Sequence, residues 1–266
     1  MQVNQVYNEN CVDTIDRMPD EFIDLTVTSP PYDDLRSYKG YSIAISDLIS
    51  KLYSKTKSGG VCVWIVGDQT VNGSETGNSF RQALKFIDAG WLLHDTMIYQ
   101  KDSIAFPELN RYSQIFEYMF VFSKCKPKTT NIIKDRVNEN YNGRKCIKGG
   151  ERQKNGDLKK RRKGILLKPY GSRYNIWRVS TGHMKSTTDK IAYQHPAIFP
   201  ETLAADHIRS WSNVGDLVYD PFSGSATTAK MAMHLNRNYI GSEISKEYYE
   251  LGEQRLKTYR SQGRLF

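Results

Sequence analysis

Leu217-Val218-Tyr219-Asp220-Pro221-Phe222-Ser223-Gly224-Ser225-Ala226-Thr227-Thr228 is the stretch that decides the fold. Its first three residues read as a buried strand ending at Asp220. A turn of small residues follows, and Ala226 to Leu235 has the spacing of a helix. Strand, acid, small-residue turn and helix is the layout of a doubly wound, dinucleotide-type site. Small residues let the backbone approach a ligand closely, and the first turn of the next helix offers free N–H groups. In such sites an acid about 20 residues further on, at the end of the next strand, takes the ribose hydroxyls. Glu243 lies 23 residues after Asp220 and follows Tyr239-Ile240-Gly241-Ser242, which reads as that strand. No G-x-x-x-x-G-K-[ST] sequence is present, so nothing suggests a nucleoside triphosphate.

The rest of the chain alternates in the same way. Val3 to Asn8 reads as a short strand, Cys11 to Met18 as a short helix and Phe22 to Thr28 as a buried strand. Ile43 to Tyr53 has helical spacing, and Ser58-Gly59-Gly60 reads as a break before the strand Val61 to Val66. Ser79 to Ala89 is an amphipathic helix stopped by Gly90. Trp91 to Gln100 and Ile115 to Ser123 read as paired strands joined by a loop containing Phe106-Pro107. Pro200 to Trp211 and Tyr248 to Tyr259 are helical. Strands alternating with helices predict an α/β fold with a doubly wound, mostly parallel sheet.

With 266 residues, 39% of them hydrophobic, the chain suits one large domain with a smaller inserted piece. No apolar run approaches the roughly 20 residues of a membrane span, and the polar N-terminus lacks the layout of a signal peptide. A soluble, cytoplasmic protein is expected. Cys11, Cys62, Cys125 and Cys146 show neither zinc-ligand nor disulfide spacing, and the five histidines form no metal-binding group.

Net charge is +9, unevenly placed. Lys124 to Lys190 holds 20 Lys+Arg against 5 Asp+Glu, which leaves 18 basic and 24 acidic residues elsewhere. The whole basic excess thus lies in one segment without clear periodicity, centred on Lys159-Lys160-Arg161-Arg162-Lys163. A polyanion-binding insertion is the functional reading and a solvated charged loop the plain one. Nucleic acid is the favoured partner.

Thr28-Ser29-Pro30-Pro31-Tyr32 ends the strand that begins at Phe22. An exocyclic amine on a nucleobase is a poor nucleophile, because its lone pair is delocalised into the ring. Acceptors placed around its N–H groups favour pyramidal geometry and stabilise the positive charge that develops as a methyl group arrives. Two prolines stiffen the turn so that a backbone carbonyl can serve as one acceptor, and the Ser29 hydroxyl is a second. Tyr32 offers a face for a base extruded from the duplex, worth roughly 1–3 kcal/mol.

Asp220 to Thr228 resembles the S-adenosylmethionine-binding motif D-P-F-x-G-S-G-T-T of DNA amino-methyltransferases, with Ala226 in place of a glycine. His195-Pro196-Ala197-Ile198-Phe199-Pro200-Glu201 resembles the segment that contacts the methionine end of the cofactor. Asn8-Glu9-Asn10-Cys11 is similar to a segment ending Gly-Asp-Cys, with Asn10 where the family has an acid that contacts the adenine. The cofactor residues so implied are Asn10, His195, Phe199, Pro200, Asp220, Phe222, Ser223, Gly224, Ser225, Thr227 and Glu243. Phe116 to Ser123 resembles the strand that closes the base pocket. The resemblance covers about residues 5 to 123 and 192 to 258.

Ser at the head of Ser29-Pro30-Pro31-Tyr32, within a longer match through Asp33-Asp34-Leu35-Arg36-Ser37-Tyr38, resembles the cytosine-N4 enzymes. Adenine-N6 members usually carry Asp or Asn there. Cytosine-C5 chemistry needs a Cys nucleophile, typically after a proline, and no cysteine here follows one. Catalytic motif, basic segment and cofactor motif come in the beta-class order. That order implies a catalytic half (1–123), a target-recognition region (124–190) and a cofactor half (191–266). Double-stranded DNA is then the partner, contacted through Arg36, Arg144, Arg152, Lys160, Arg161, Arg162 and Arg173. A homodimer and a cognate restriction endonuclease are further partners the family admits. Adenine-N6 methylation on the same fold, or a catalytically silent nucleic-acid-binding regulator, are the competing functions. An electrostatic interface predicts that DNA binding by the full chain weakens steeply from low to moderate salt. Binding titrations at two salt concentrations check this, and a flat response would count against the interface.

Overall fold

The computed structural model describes residues 1–31, 45–102, 110–139, 141, 150–160, 168–182 and 184–262. Two compact units are present: Met1–Asn131 with Asn175–Phe266, and Ile132–Tyr174. In the first unit the chain forms β1 (Gln5–Tyr7), α1 (Cys11–Asp16), β2 (Ile23–Thr28), α2 (Ile45–Lys55), β3 (Thr56–Val66), the hairpin β4 (Thr70–Val71) and β5 (Ser74–Glu75), α3 (Asn78–Asp88), β6 (Leu92–Lys101) and β7 (Phe116–Ser123). The second unit holds two short antiparallel pairs, β8 (Arg136–Val137) with β11 (Tyr170–Gly171) and β9 (Gly150–Arg152) with β10 (Leu158–Lys160). The first unit resumes with β12 (Ile176–Val179), α4 (Glu201–Trp211), β13 (Leu217–Asp220), α5 (Thr227–His234), β14 (Asn238–Ser242) and α6 (Lys246–Ser261).

Eight strands make one sheet in the order β1-β14-β13-β2-β3-β7-β6-β12. Pairing is parallel throughout except on the two sides of β7, so the expectation of a mostly parallel, doubly wound sheet holds. Apolar residues alternate between the two faces. Cys62, Trp64, Val66, Phe120, Phe122, Leu217 and Tyr219 join Ile15, Leu48, Ile49, Leu52 and Phe86 in one core under α1, α2 and α3. Phe86 stacks on Phe122 at 4.1 Å with the rings parallel. The opposite face is covered by α4, α5 and α6, with His207 of α4 in contact with Met119 of β7. All six residues of β2 are buried, as a central strand covered on both faces requires.

Two local features depart from the sequence reading. Ser58-Gly59-Gly60 does not interrupt β3 but forms a bulge inside it. The register passes from Ile23 opposite Thr56 to Leu25 opposite Val61, and Gly59 takes φ +77°. A side chain at Gly60 would come within 2.6 Å of Thr56 Cγ2, so glycine is required by close packing and not by chain reversal. Ile176–Val179, inside the segment without evident period, is the edge strand β12, with Trp177 buried. Four residues of alternation are too few to stand out among so many Lys and Arg.

The stubs on either side of the second unit are both fastened within the first. Asn131 N–H donates to Ser210 O at 2.8 Å, and Ile98 N–H donates to Asn175 O at 2.8 Å. Among the described residues no helix is long and apolar enough to cross a membrane.

Asp24 pins the beginnings of three segments. Its buried carboxylate accepts from Leu217 N (2.9 Å), Lys57 Nζ (2.7 Å) and Lys128 Nζ (2.6 Å). Burial pushes its pKa up, but the Leu217 amide and the two ammonium groups outweigh that and hold the carboxyl below its ordinary value. A depressed carboxyl stabilises the fold above the unfolded-state pKa of about 3.9, and that stability disappears as pH falls through the lower folded value. Asp24→Asn should cost about 2 kcal/mol at neutral pH and flatten the acid side of the stability profile. Denaturation midpoints measured from pH 7 to pH 3 check this; parallel profiles for the two proteins would contradict it.

Candidate active site

The strand order reverses between β13 and β2. From β13 the chain crosses by α5 to β14 on one side, and from β2 by α2 to β3 on the other. The crevice outside the carboxyl ends of two such strands is where doubly wound sheets bind ligands. Here β2 ends at Thr28 and β13 at Asp220, and the Thr28 hydroxyl donates to Asp220 Oδ1 at 2.6 Å. The two sequence motifs therefore meet at the switch point. Thr228 Oγ1 also donates to Val27 O at 3.3 Å, closing the same seam from the first turn of α5.

The turn after β13 is built by its own backbone. Asp220 Oδ1 also accepts from Phe222 N–H (3.0 Å), Ser223 N–H donates to Ser242 O (2.8 Å), and Ala226 N–H donates to Ser223 O (2.7 Å). Gly224 takes φ +48°, and its N–H donates to Glu243 Oε2 at 2.8 Å. The other carboxylate oxygen of Glu243 accepts from Ser245 N–H at 2.9 Å. The turn and the acid 23 residues on are thus bonded to each other. His195 packs on Gly224: a Cβ built there would lie 3.0 Å from His195 Nε2. The ring is oriented by Nδ1, 2.8 Å from Ala197 O, and meets Tyr248 edge-on at 4.4 Å.

Other expected cofactor residues divide by role. Phe222 is half-buried against the core, edge-on to Trp64 at 6.0 Å. Pro200 is buried and starts α4, with Phe199 half-buried before it. Ser225 and Thr227 face inward, where Arg255 Nη1 donates to Ser225 O (2.8 Å) and Thr227 Oγ1 (2.8 Å). Asn10 caps α1, its Oδ1 accepting from Val12 N–H at 3.0 Å, at the strand end beside that of β14. In the catalytic motif Ser29 is half-buried, Pro30 buried and Pro31 half-buried, directly after Thr28. Tyr32, Arg36 and the rest of the match through Tyr38 lie outside the described residues, as do Arg144, Arg161, Arg162, Cys146 and the Phe106-Pro107 loop. In the second unit Arg152 is exposed and Lys160 ends β10, its side chain outside the described set. Arg173 Nε donates to both oxygens of Asp135 at 3.1 and 2.9 Å.

Sequence reasoning missed a buried ion network behind the turn. Arg255, fully buried, donates to Asp189 (2.7 Å) and Glu201 (2.5 Å), and Lys230 reaches the same two carboxylates at 2.7 and 2.8 Å. A cationic residue three and four positions from Gly252 and Leu251, on the apolar stripe of α6, was the available signal.

The site suits a ligand that supplies donors and positive charge. Asp220 and Glu243 are buried side by side, and among the described residues neither makes an ion pair. Burial raises both pKa values, opposed for Asp220 by Thr28 and Phe222 and for Glu243 by the amides of Ser245 and Gly224. The Ser223 hydroxyl is buried in the turn with no hydrogen-bond partner among the described residues.

A doubly wound sheet with an acid-flanked turn and a proline-stiffened strand end at one switch point defines a nucleotide-cofactor enzyme. The family model described as DNA methylase matches residues 23–254, and the chain belongs to that family. It is 64% identical over 237 residues to the orphan methyltransferase M.BamHII of Bacillus amyloliquefaciens, covering 89% of each chain. The fold matches the cytosine-N4-specific PvuII DNA methyltransferase, with a TM-score of 0.66 and 20% identity over 97% of this chain and 91% of that one. It also matches a DNA modification methylase of Thermus thermophilus solved with S-adenosylmethionine, with a TM-score of 0.62 and 19% identity over 96% and 93%.

Thr28→Val keeps the side-chain shape but leaves the buried Asp220 carboxyl short of one donor. Stability should fall by about 1–3 kcal/mol, read from the denaturant midpoint; an unchanged midpoint would show that the seam does not depend on this bond.

Proposed function

We propose that the protein is a site-specific DNA methyltransferase that transfers the methyl group of S-adenosylmethionine to the exocyclic N4 of a cytosine flipped out of the duplex. The observation that carries the reading is the Thr28–Asp220 bond, which sets Ser29-Pro30 beside the turn at the switch point. When bound, the cofactor supplies a methyl group on a positively charged sulfur. The turn from Asp220 to Ser225 would hold it, with Glu243 on the ribose side. Two buried acids next to a cationic ligand offset its charge.

Ser29 and a carbonyl of the proline turn accept from the amine N–H groups. They orient its lone pair toward the methyl carbon and stabilise positive charge on nitrogen as the C–N bond forms and the C–S bond breaks. The surplus amine proton then passes to solvent water, because a serine hydroxyl and a backbone carbonyl are too weakly basic to keep it. No covalent enzyme intermediate is needed, and the raised pKa of buried Cys11, about 12, suits a packing role for that thiol and not a nucleophile. Cytosine in preference to adenine rests on Ser29 at the head of the motif. The Lys124–Lys190 segment is read as the DNA-recognition region. The designation of the Bacillus relative as orphan supports action without a dedicated endonuclease.

Nucleoside mass spectrometry of DNA from cells expressing the chain, against a vector control, is the test. N4-methylcytosine is expected. N6-methyladenine would overturn the base preference, and neither product would favour a binding-only protein. Ser29→Ala should lower turnover about a hundredfold with cofactor affinity retained; near-normal turnover would remove Ser29 from the mechanism.

A further inference from the structure

Ala226 is the residue at which the cofactor motif departs from glycine, and its backbone is left-handed, φ +60° and ψ +35°. An L side chain takes that conformation at a cost, which glycine avoids. The methyl group is fully buried. Opposite it stands Gly252, in the middle of α6, where glycine is a poor helix residue. A Cβ built on Gly252 would lie 3.1 Å from Ala226 Cβ and 3.2 Å from Gly224 O. Room for a methyl group therefore exists on one side of this contact only, and the chain places it at position 226.

The contact belongs to a larger pattern. Tyr248, Gly252 and Arg255 are spaced four and three residues apart, on one face of α6. Tyr248 packs on His195, which packs on Gly224; Gly252 receives Ala226; Arg255 holds Ser225 O and Thr227 Oγ1. One helix face thus touches the turn directly or through one ring at four successive places. We propose that Ala226 and Gly252 form a coupled pair through which α6 sets the shape of the cofactor turn, making Gly252 a positioning residue for the methyl donor. This rests on the cofactor reading above.

The test is calorimetric titration of S-adenosylmethionine into the full chain and into Gly252→Ala, Ala226→Gly and the double variant, with thermal melts of each. Gly252→Ala should weaken cofactor binding about tenfold by overpacking. Its melting temperature should fall only modestly, since the helix preference of alanine offsets part of the overpacking. The KM for cofactor should rise while that for DNA stays. Ala226→Gly/Gly252→Ala should recover most of that loss, because Ala226→Gly removes the methyl at 3.1 Å and suits a positive φ, leaving the contact with Gly224 O at 3.2 Å. If Gly252→Ala alone fails to fold, the folded, binding-competent double variant carries the same support. Wild-type affinity in Gly252→Ala, or a double variant as weak as Gly252→Ala, overturns the coupling. A wild-type chain that binds no S-adenosylmethionine overturns the cofactor reading itself, and the inference with it.

Discussion

One hydrogen bond, from the hydroxyl of Thr28 to the carboxylate of Asp220, joins the two sequence motifs at the switch point of the sheet. The residues are 192 positions apart and sit at the ends of neighbouring parallel strands. Charged acids are rarely buried without a cation, and Asp220 persists because donors are supplied by the next strand, by its own turn and by Thr228. The acid cannot relax toward solvent without breaking the seam, so the strand end before Ser29 and the turn after Asp220 are tied to each other. On the proposed reaction, that tie serves a geometry that must be held within fractions of an ångström.

Behind the turn, Arg255 and Lys230 face Asp189 and Glu201 in a second buried polar group. A network of this kind gains little net stability over apolar packing, but removing one partner strands the others. Its members come from α4, α5, α6 and the segment before α4. Since α5 follows the turn and α6 packs on it, the network ties α4 and the segment before it to the elements that hold the turn.

Much of this was legible in the sequence. The central strands announced themselves as uninterrupted apolar runs, and the Asp220 turn with Glu243 behind it located the switch point. Less visible were features set by distant partners. Gly59-Gly60 looks like a chain break in one dimension and becomes a bulge only when Lys124 and Lys128 pair across it. Thr28 read as the last residue of a strand, with nothing local to mark its hydroxyl as the bridge to Asp220. Ser225 and Thr227 resembled ligand contacts by motif, yet their oxygens face Arg255. Asn10, standing where an acid is usual, spends its side-chain oxygen on the first turn of α1.

The fastened stubs at Asn131 and Asn175 bear on how such a protein changes over time. With both ends of the intervening chain held by backbone bonds to the large unit, the entropy of closing that excursion grows only with the logarithm of its length, about 0.6 kcal/mol for each doubling. The sheet therefore places almost no constraint on the size of what lies between the stubs. A part fastened in this way can be lengthened, trimmed or replaced while the sheet keeps its own geometry.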